Sequence, residues 1–379
     1  MRNRLNLFIT VFLIAFLAAC GSAGTATDTQ SNAANADVAS SPEPTLRPVL
    51  PTERVIPTLA EGEVLESSGV VSASDAGNLQ KVAILNGHSQ AVRGLAFTPD
   101  SAVLATSAGG DDKTIQFWEV ASGDNQGVYA LEAAAYRLAF APDGKTLAAG
   151  LETGKILLLD VTDVSAPQEV AALEGHAKAI SALAYSPDGS MLISATGAGE
   201  AQVRLWDAAS GEELFALVEK GGLDPVIGVG FSPDGSQVSA AWGSGKIMIW
   251  NTADGSEANT LPGASGPALA QSVAYLPDFS GVMWGGANGK LILQKFDGSD
   301  AVTSTDKHLQ FIVTMGVSPD GTTFYSGGID GSLKVWDSTQ TAVESIDSLG
   351  TISAFSVSPD GKTLALALGD KTVVLWGIP

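Results

Sequence analysis

His88, His176 and His308 are the three histidines of the chain, and Ser, Thr and Asp residues follow each of them in a manner that suggests hydrolytic triads. An imidazole base between a hydroxyl and a carboxylate would suit nucleophilic acyl transfer. The spacing points elsewhere. Each histidine stands eleven residues before the Pro of a Pro-Asp pair, at Pro99, Pro187 and Pro319. Every histidine therefore occupies one repeated position. A frame requires that arrangement, whereas a single active site does not.

The Pro-Asp pair itself recurs seven times, at Pro99, Pro142, Pro187, Pro233, Pro277, Pro319 and Pro359, in steps of 43, 45, 46, 44, 42 and 40 residues. Five of the pairs continue with Gly144, Gly189, Gly235, Gly321 or Gly361. Pro presets φ for a turn, and Asp-Gly supplies a side-chain acceptor and a positive φ. Apolar residues stand two and four positions before each Pro, as in Leu95 and Phe97 or Leu183 and Tyr185. That alternation marks a half-buried strand entering a hairpin. A second strand follows the turn, then a third such as Val203-Arg204-Leu205-Trp206, and the segments between repeats carry a fourth. Four short antiparallel strands in each repeat predict an all-β, seven-bladed propeller over residues 79–379.

The repeats resemble the WD40 family. Trp206-Asp207 and Trp336-Asp337 are its naming dipeptide, and Gly87-His88 and Gly175-His176 match its Gly-His pair. The resemblance implies a hydrogen-bonded relay from His to a strand hydroxyl, a turn Asp and a strand Trp. In this chain the positions are His88, Thr106, Asp112 and Trp118; His176, Ser194 and Trp206, with Glu200 in place of Asp; and His308, Ser326, Asp330 and Trp336. Blade seven keeps Asp370 and Trp376 but has Ser348 at the His position. Blades two, four and five have lost most members; Leu159 replaces the Trp in blade two, and Trp284 takes the hydroxyl position in blade five. The relay assigns the histidines to structure, so no catalytic residue is expected.

The ends suggest how the ring closes. The last repeat stops at Trp376, which leaves its blade without an outer strand, and residues 79–85 precede the first repeat with no blade of their own. Their pairing would complete blade seven and hide both edges.

Residues 1–19 have a secretory layout, with Arg2 and Arg4 ahead of an apolar run too short to span comfortably. The run ends in Leu17-Ala18-Ala19-Cys20, which resembles a bacterial lipobox. The resemblance implies cleavage before Cys20 and lipid on its thiol, hence an extracytoplasmic chain held to a membrane by acyl groups such as palmitate. The plainer alternative is an ordinary signal peptide or uncleaved anchor with an incidental cysteine. Residues 20–61 are rich in Ser, Ala, Thr and Pro and read as a disordered stalk. Residues 62–78 are transitional, with Ser74 and Asp75 placed to cap one helical turn.

The net charge is −21, from 20 basic and 41 acidic residues. Such a surface repels nucleic acid and gives no polybasic attraction to lipid. One cysteine makes no internal disulfide. No phosphate-binding Gly loop, His-Glu-x-x-His or EF-hand spacing is present, so neither cofactor nor metal is expected.

The WD40 resemblance implies a non-enzymatic platform for protein partners, with a propeller that is itself monomeric. The alternative is a propeller hydrolase, lyase or carbohydrate-binding receptor built from loops on one face. The short connections leave little room for that. Candidate contacts begin with the residue six before each Pro, a ring comprising Arg93, Tyr136, Ser181, Ile227, Gln271, Val313 and Ser353. Trp242, read as lying in a connection of blade four, is a further candidate anchor.

Overall fold

The computed structural model describes residues 64–197, 202–218, 224–262 and 270–379. The segment 1–19, Cys20, the stalk and Glu200 lie outside the described residues.

Seven four-stranded antiparallel sheets form the propeller. Their innermost strands are Val92–Phe97, Ala135–Phe140, Ile180–Tyr185, Val226–Phe231, Ala270–Tyr275, Ile312–Val317 and Ile352–Val357, in blades one to seven. Each innermost strand touches that of the next blade, and the seventh touches the first, which closes a ring. The second strands are sandwiched between neighbouring blades. Thr363–Leu368 and Gly281–Gly286 are buried at every position, which is why they read as unbroken apolar or small runs. Where blades converge, some positions accept only glycine: a Cβ on Gly150 would come within 2.6 Å of Ile180. The outermost strands alternate instead, as Asn125–Ala130 shows with its solvent-facing and half-buried residues.

In all seven Pro-Asp turns the Asp carboxylate accepts the amide two residues on, and in five it also accepts the hydroxyl of the residue before Pro. Ser186 Oγ donates to Asp188 Oδ1 at 2.6 Å, and the Ser190 amide donates to the same oxygen at 3.0 Å. These bonds hold the Asp188 carboxyl down at about 2. The carboxylates are thus engaged by their own turns. Glycine at the third turn position has φ between 69° and 75°. Ser101 and Phe279 take the same left-handed conformation where glycine is absent, with φ 62° and 57°. Pro99 lies against Gly144, Pro142 against Gly189, and Pro187 against Gly235. Successive turns therefore gather on one face of the ring, and the innermost strands begin on the other.

Blade seven is completed by the strand Gln80–Leu85, which pairs antiparallel with Val373–Gly377 from Gln80↔Gly377 to Leu85↔Val373. The upstream residues do more than lead in. They form a strap along blades six and seven: the Ser68 and Gly69 amides donate to Ile378 O, Val71 N to Gly361 O, and Tyr325 Oη to Val71 O. Val71, Ala76 and Leu79 are buried in the core there. A 3-10 turn forms over Ala76–Asn78 with Asp75 at its N-cap, but no side chain caps it. The Asp75 carboxylate instead accepts from the hydroxyls of Ser72 and Ser74. No helix among the described residues is long and apolar enough to cross a membrane.

Candidate functional site

The histidine positions come first. In blade one, His88 Nδ1 is 3.2 Å from Asp112 Oδ2, and Nε2 is 2.8 Å from Thr106 Oγ1. Trp118 Nε1 donates to the same hydroxyl at 2.9 Å. A neutral imidazole, which burial favours, satisfies all three contacts in one way. The carboxylate must accept, so Nδ1 carries the proton and Nε2 accepts from the Thr106 hydroxyl, which itself accepts from the indole. The imidazole is neutral in this arrangement. Burial pushes its pKa down against the opposing pull of Asp112.

Blade six repeats the arrangement with an added link. His308 Nε2 meets Ser326 Oγ at 2.6 Å, and Trp336 Nε1 donates to that oxygen at 2.8 Å. Ser332 Oγ stands 2.8 Å from His308 Nδ1 and donates to Asp330 Oδ1 at 2.7 Å, beside the direct 3.2 Å contact between His308 and Asp330. Asp330 also accepts the Leu309 amide. In blade three, His176 Nε2 and Trp206 Nε1 both reach Ser194 Oγ at 2.7 Å. Burial and then the Arg204 charge lower the His176 pKa to about 3. All three imidazoles lie inside the blades, at most 8% exposed, with their ring nitrogens turned inward. The arrangement can fix strands and loops, but it leaves no hydroxyl open to a substrate. No group of acidic or histidine side chains able to hold a metal occurs among the described residues.

Blades without the relay use apolar packing. Leu159 and Trp284 are buried at the positions read as substituted. Trp242 requires a correction. It is the last residue of the strand Gln237–Trp242, is fully buried, and packs 6.1 Å from the Trp250 ring. It belongs to the core shared by blades three and four and is not a surface anchor.

The ring of residues six before each Pro has a structural cause that spacing alone did not reveal. In all seven blades the pairing between first and second strands slips at this residue, for example between Val92 and Gly94 and between Ala135 and Arg137. Each is a β-bulge, which breaks the two-residue alternation and re-aims side chains. Arg93 is exposed, and Tyr136 is half-buried with its hydroxyl on Glu152 at 3.1 Å. The Gln271 side chain lies outside what is described. Ser181 Oγ and Ser353 Oγ turn to the next blade and donate to Val226 O and Val92 O. Arg137, one residue past a bulge, also faces the channel.

Three further residues escaped the sequence reading. Leu309 is 89% exposed, Phe311 48% and Ile329 37%; the Ile329 amide donates to Phe311 O and the Leu309 amide to Asp330, which places the three on neighbouring backbone. They flank His308 and Asp330 on the face where the innermost strands begin. Val128, Val170 and Val343 are exposed on outermost strands, and Val70 on the strap.

Three stretches of the sequence, residues 79–119, 167–207 and 292–337, match the family model described as WD domain, G-beta repeat. In these three stretches the chain is similar to WD40 repeats. It is 28% identical to a serine-threonine kinase receptor-associated protein of Gallus gallus over 254 residues, which is 67% of this chain and 68% of the relative. It is 31% identical over 156 residues to an uncharacterised WD repeat-containing protein of Synechocystis, 40% of this chain and 42% of that one. An actin-interacting protein of Drosophila melanogaster is 25% identical across 54% of this chain and 34% of its own length.

The three matched WD40 stretches each run from the outer strand of one blade into the next, and they end in blades one, three and six. Those are the blades with a histidine relay. The other blades keep the same four-stranded plan, with Leu159, Trp242 and Trp284 buried in blades two, four and five.

Proposed function

We propose that this WD40 propeller is a non-enzymatic protein-binding platform, displayed outside the cytoplasm and tied to a bacterial membrane by lipid on Cys20. The observation that carries the binding reading is the cluster of Leu309, Phe311 and Ile329. Contiguous exposed apolar side chains are what a protein partner covers, and aromatic residues dominate binding energy. The imidazoles that might have argued for catalysis are consumed by the frame. Relatives described as receptor-associated and actin-interacting accord with a platform. The anchor reading is supported by the placement of Cys20 directly after the apolar run of residues 5–19.

The test is affinity capture of the full chain from solubilised membranes, compared with a Leu309→Ser/Phe311→Ser variant of equal melting temperature. A stoichiometric protein partner retained by the parent and lost by the variant is expected. The same partner at the same yield on the variant would remove this face from the reading. Turnover of a small molecule by the purified chain would replace the platform with an enzyme.

A further inference from the structure

The channel enclosed by the innermost strands holds a cavity of about 190 Å³. Its wall includes Arg93 and Arg137 and contains no carboxylate among the described residues. That is unexpected in a chain of net charge −21.

The two cations are held differently. Arg137 is fixed in place, its Nε donating to Ser181 O and its Nη1 to Tyr136 O, both at 2.7 Å. Its second terminal nitrogen makes no hydrogen bond among the described residues. Arg93 makes no hydrogen bond or ion pair among them at all, although it stands near Tyr136 across Gly109. Burial, and then the like charge of Arg93, lower the Arg137 pKa, so each guanidinium raises the cost of the other. The wall contributed by blade five includes Ser272, whose hydroxyl is buried against Gly285 of the next strand and not presented to the cavity. Leu138, Val273, Val313 and Phe355 supply apolar surface around these groups. Such surroundings strengthen charge interactions relative to water.

We propose that the channel is a binding site for a small free oxyanion, of carboxylate or phosphate type, held by Arg93 and Arg137. A guanidinium pre-oriented by backbone carbonyls presents its remaining N–H groups in fixed geometry, which suits paired oxygens. A second guanidinium completes a pair of donors, with no carboxylate on the cavity wall among the described residues. The volume admits an anion of a few heavy atoms. The acidic exterior makes this a local reversal of the protein's field, which concentrates attraction at one point.

The full chain in detergent, titrated calorimetrically with inorganic phosphate and separately with malonate at constant ionic strength set by NaCl, tests the proposal. Saturable single-site binding of at least one anion is expected, weakened about tenfold or more by Arg93→Gln. Arg93 makes no hydrogen bond or ion pair among the described residues, so that variant should keep the parent's melting temperature. Arg137→Lys retains the charge but loses the fork, and should weaken binding as well. No saturable binding of either anion would overturn the site, as would affinity unchanged by Arg93→Gln. Binding of an acidic peptide where neither free anion binds would also overturn it.

Discussion

Thr106, Ser194 and Ser326 each place one hydroxyl between an indole N–H and an imidazole nitrogen. Removing His308 would take the imidazole partner from the buried Ser326 hydroxyl and the contact with Nδ1 from Ser332 and Asp330. His308→Ala should therefore cost about 1–3 kcal/mol in urea unfolding. The same geometry sets a pH dependence. His88, His176 and His308 all have pKa values below the ordinary 6.5, led by burial, so the unfolded chain takes up their protons first as pH falls. Their contribution to stability is complete above 6.5 and is lost as pH drops towards the folded value, about 3 for His176. The slope is at most about 1.4 kcal/mol per pH unit for each histidine. Urea midpoints at pH 7 and pH 5 should differ accordingly, and His176→Gln should remove one share of the difference. Equal midpoints would mean that the imidazoles are charged in the fold. The relay was readable because all three histidines keep one distance to a Pro. Ser332 was not, since the reading stopped at the turn Asp and did not ask what fills the gap to Nδ1.

Strand Gln80–Leu85 is the element on which closure depends. Without it Val373–Gly377 becomes an open edge and the core of blades six and seven loses Leu79. Deletion of residues 77–86 should abolish the single cooperative transition in calorimetry; an unchanged melting profile would refute closure by this strand. The sequence reading placed the strand at 79–85 because an unpaired apolar segment at one end matched a missing strand at the other. The strap before it was unreadable, since Val70 and Val71 show no period and make their contacts with residues some 250 or more positions away. Arg137 was missed for an elemental reason as well: strict alternation would send it away from Tyr136, and the bulge at Ala135–Arg137 cancels that alternation. Trp242 was misplaced because the strand runs one residue further than the turn chemistry suggested.

At the scale of the whole molecule, seven repeats specify a ring almost independently of any one side chain, which is why the fold could be read and the binding surface could not. Leu309 and Phe311 lie in a connection, where no periodicity distinguishes a contact residue from a spacer. The proposed anchor is likewise a property of the entire chain. Labelled palmitate should enter the parent protein and cosediment with membranes, and Cys20→Ala should abolish both. Recovery of the parent from cytoplasm with residues 1–19 intact would end that proposal. The strap has one more consequence, a mechanical one. Tension applied to the chain upstream of residue 64 meets the closing strand at one backbone bond, from the Leu65 amide to Val82 O. Once that yields, it is borne by the strap's bonds to Lys362, Ile378, Gly361, Tyr325 and Thr323, on blades six and seven. The strap is a strain relief: a pull strong enough to peel it still has the paired strands of blade seven to shear before the ring can open.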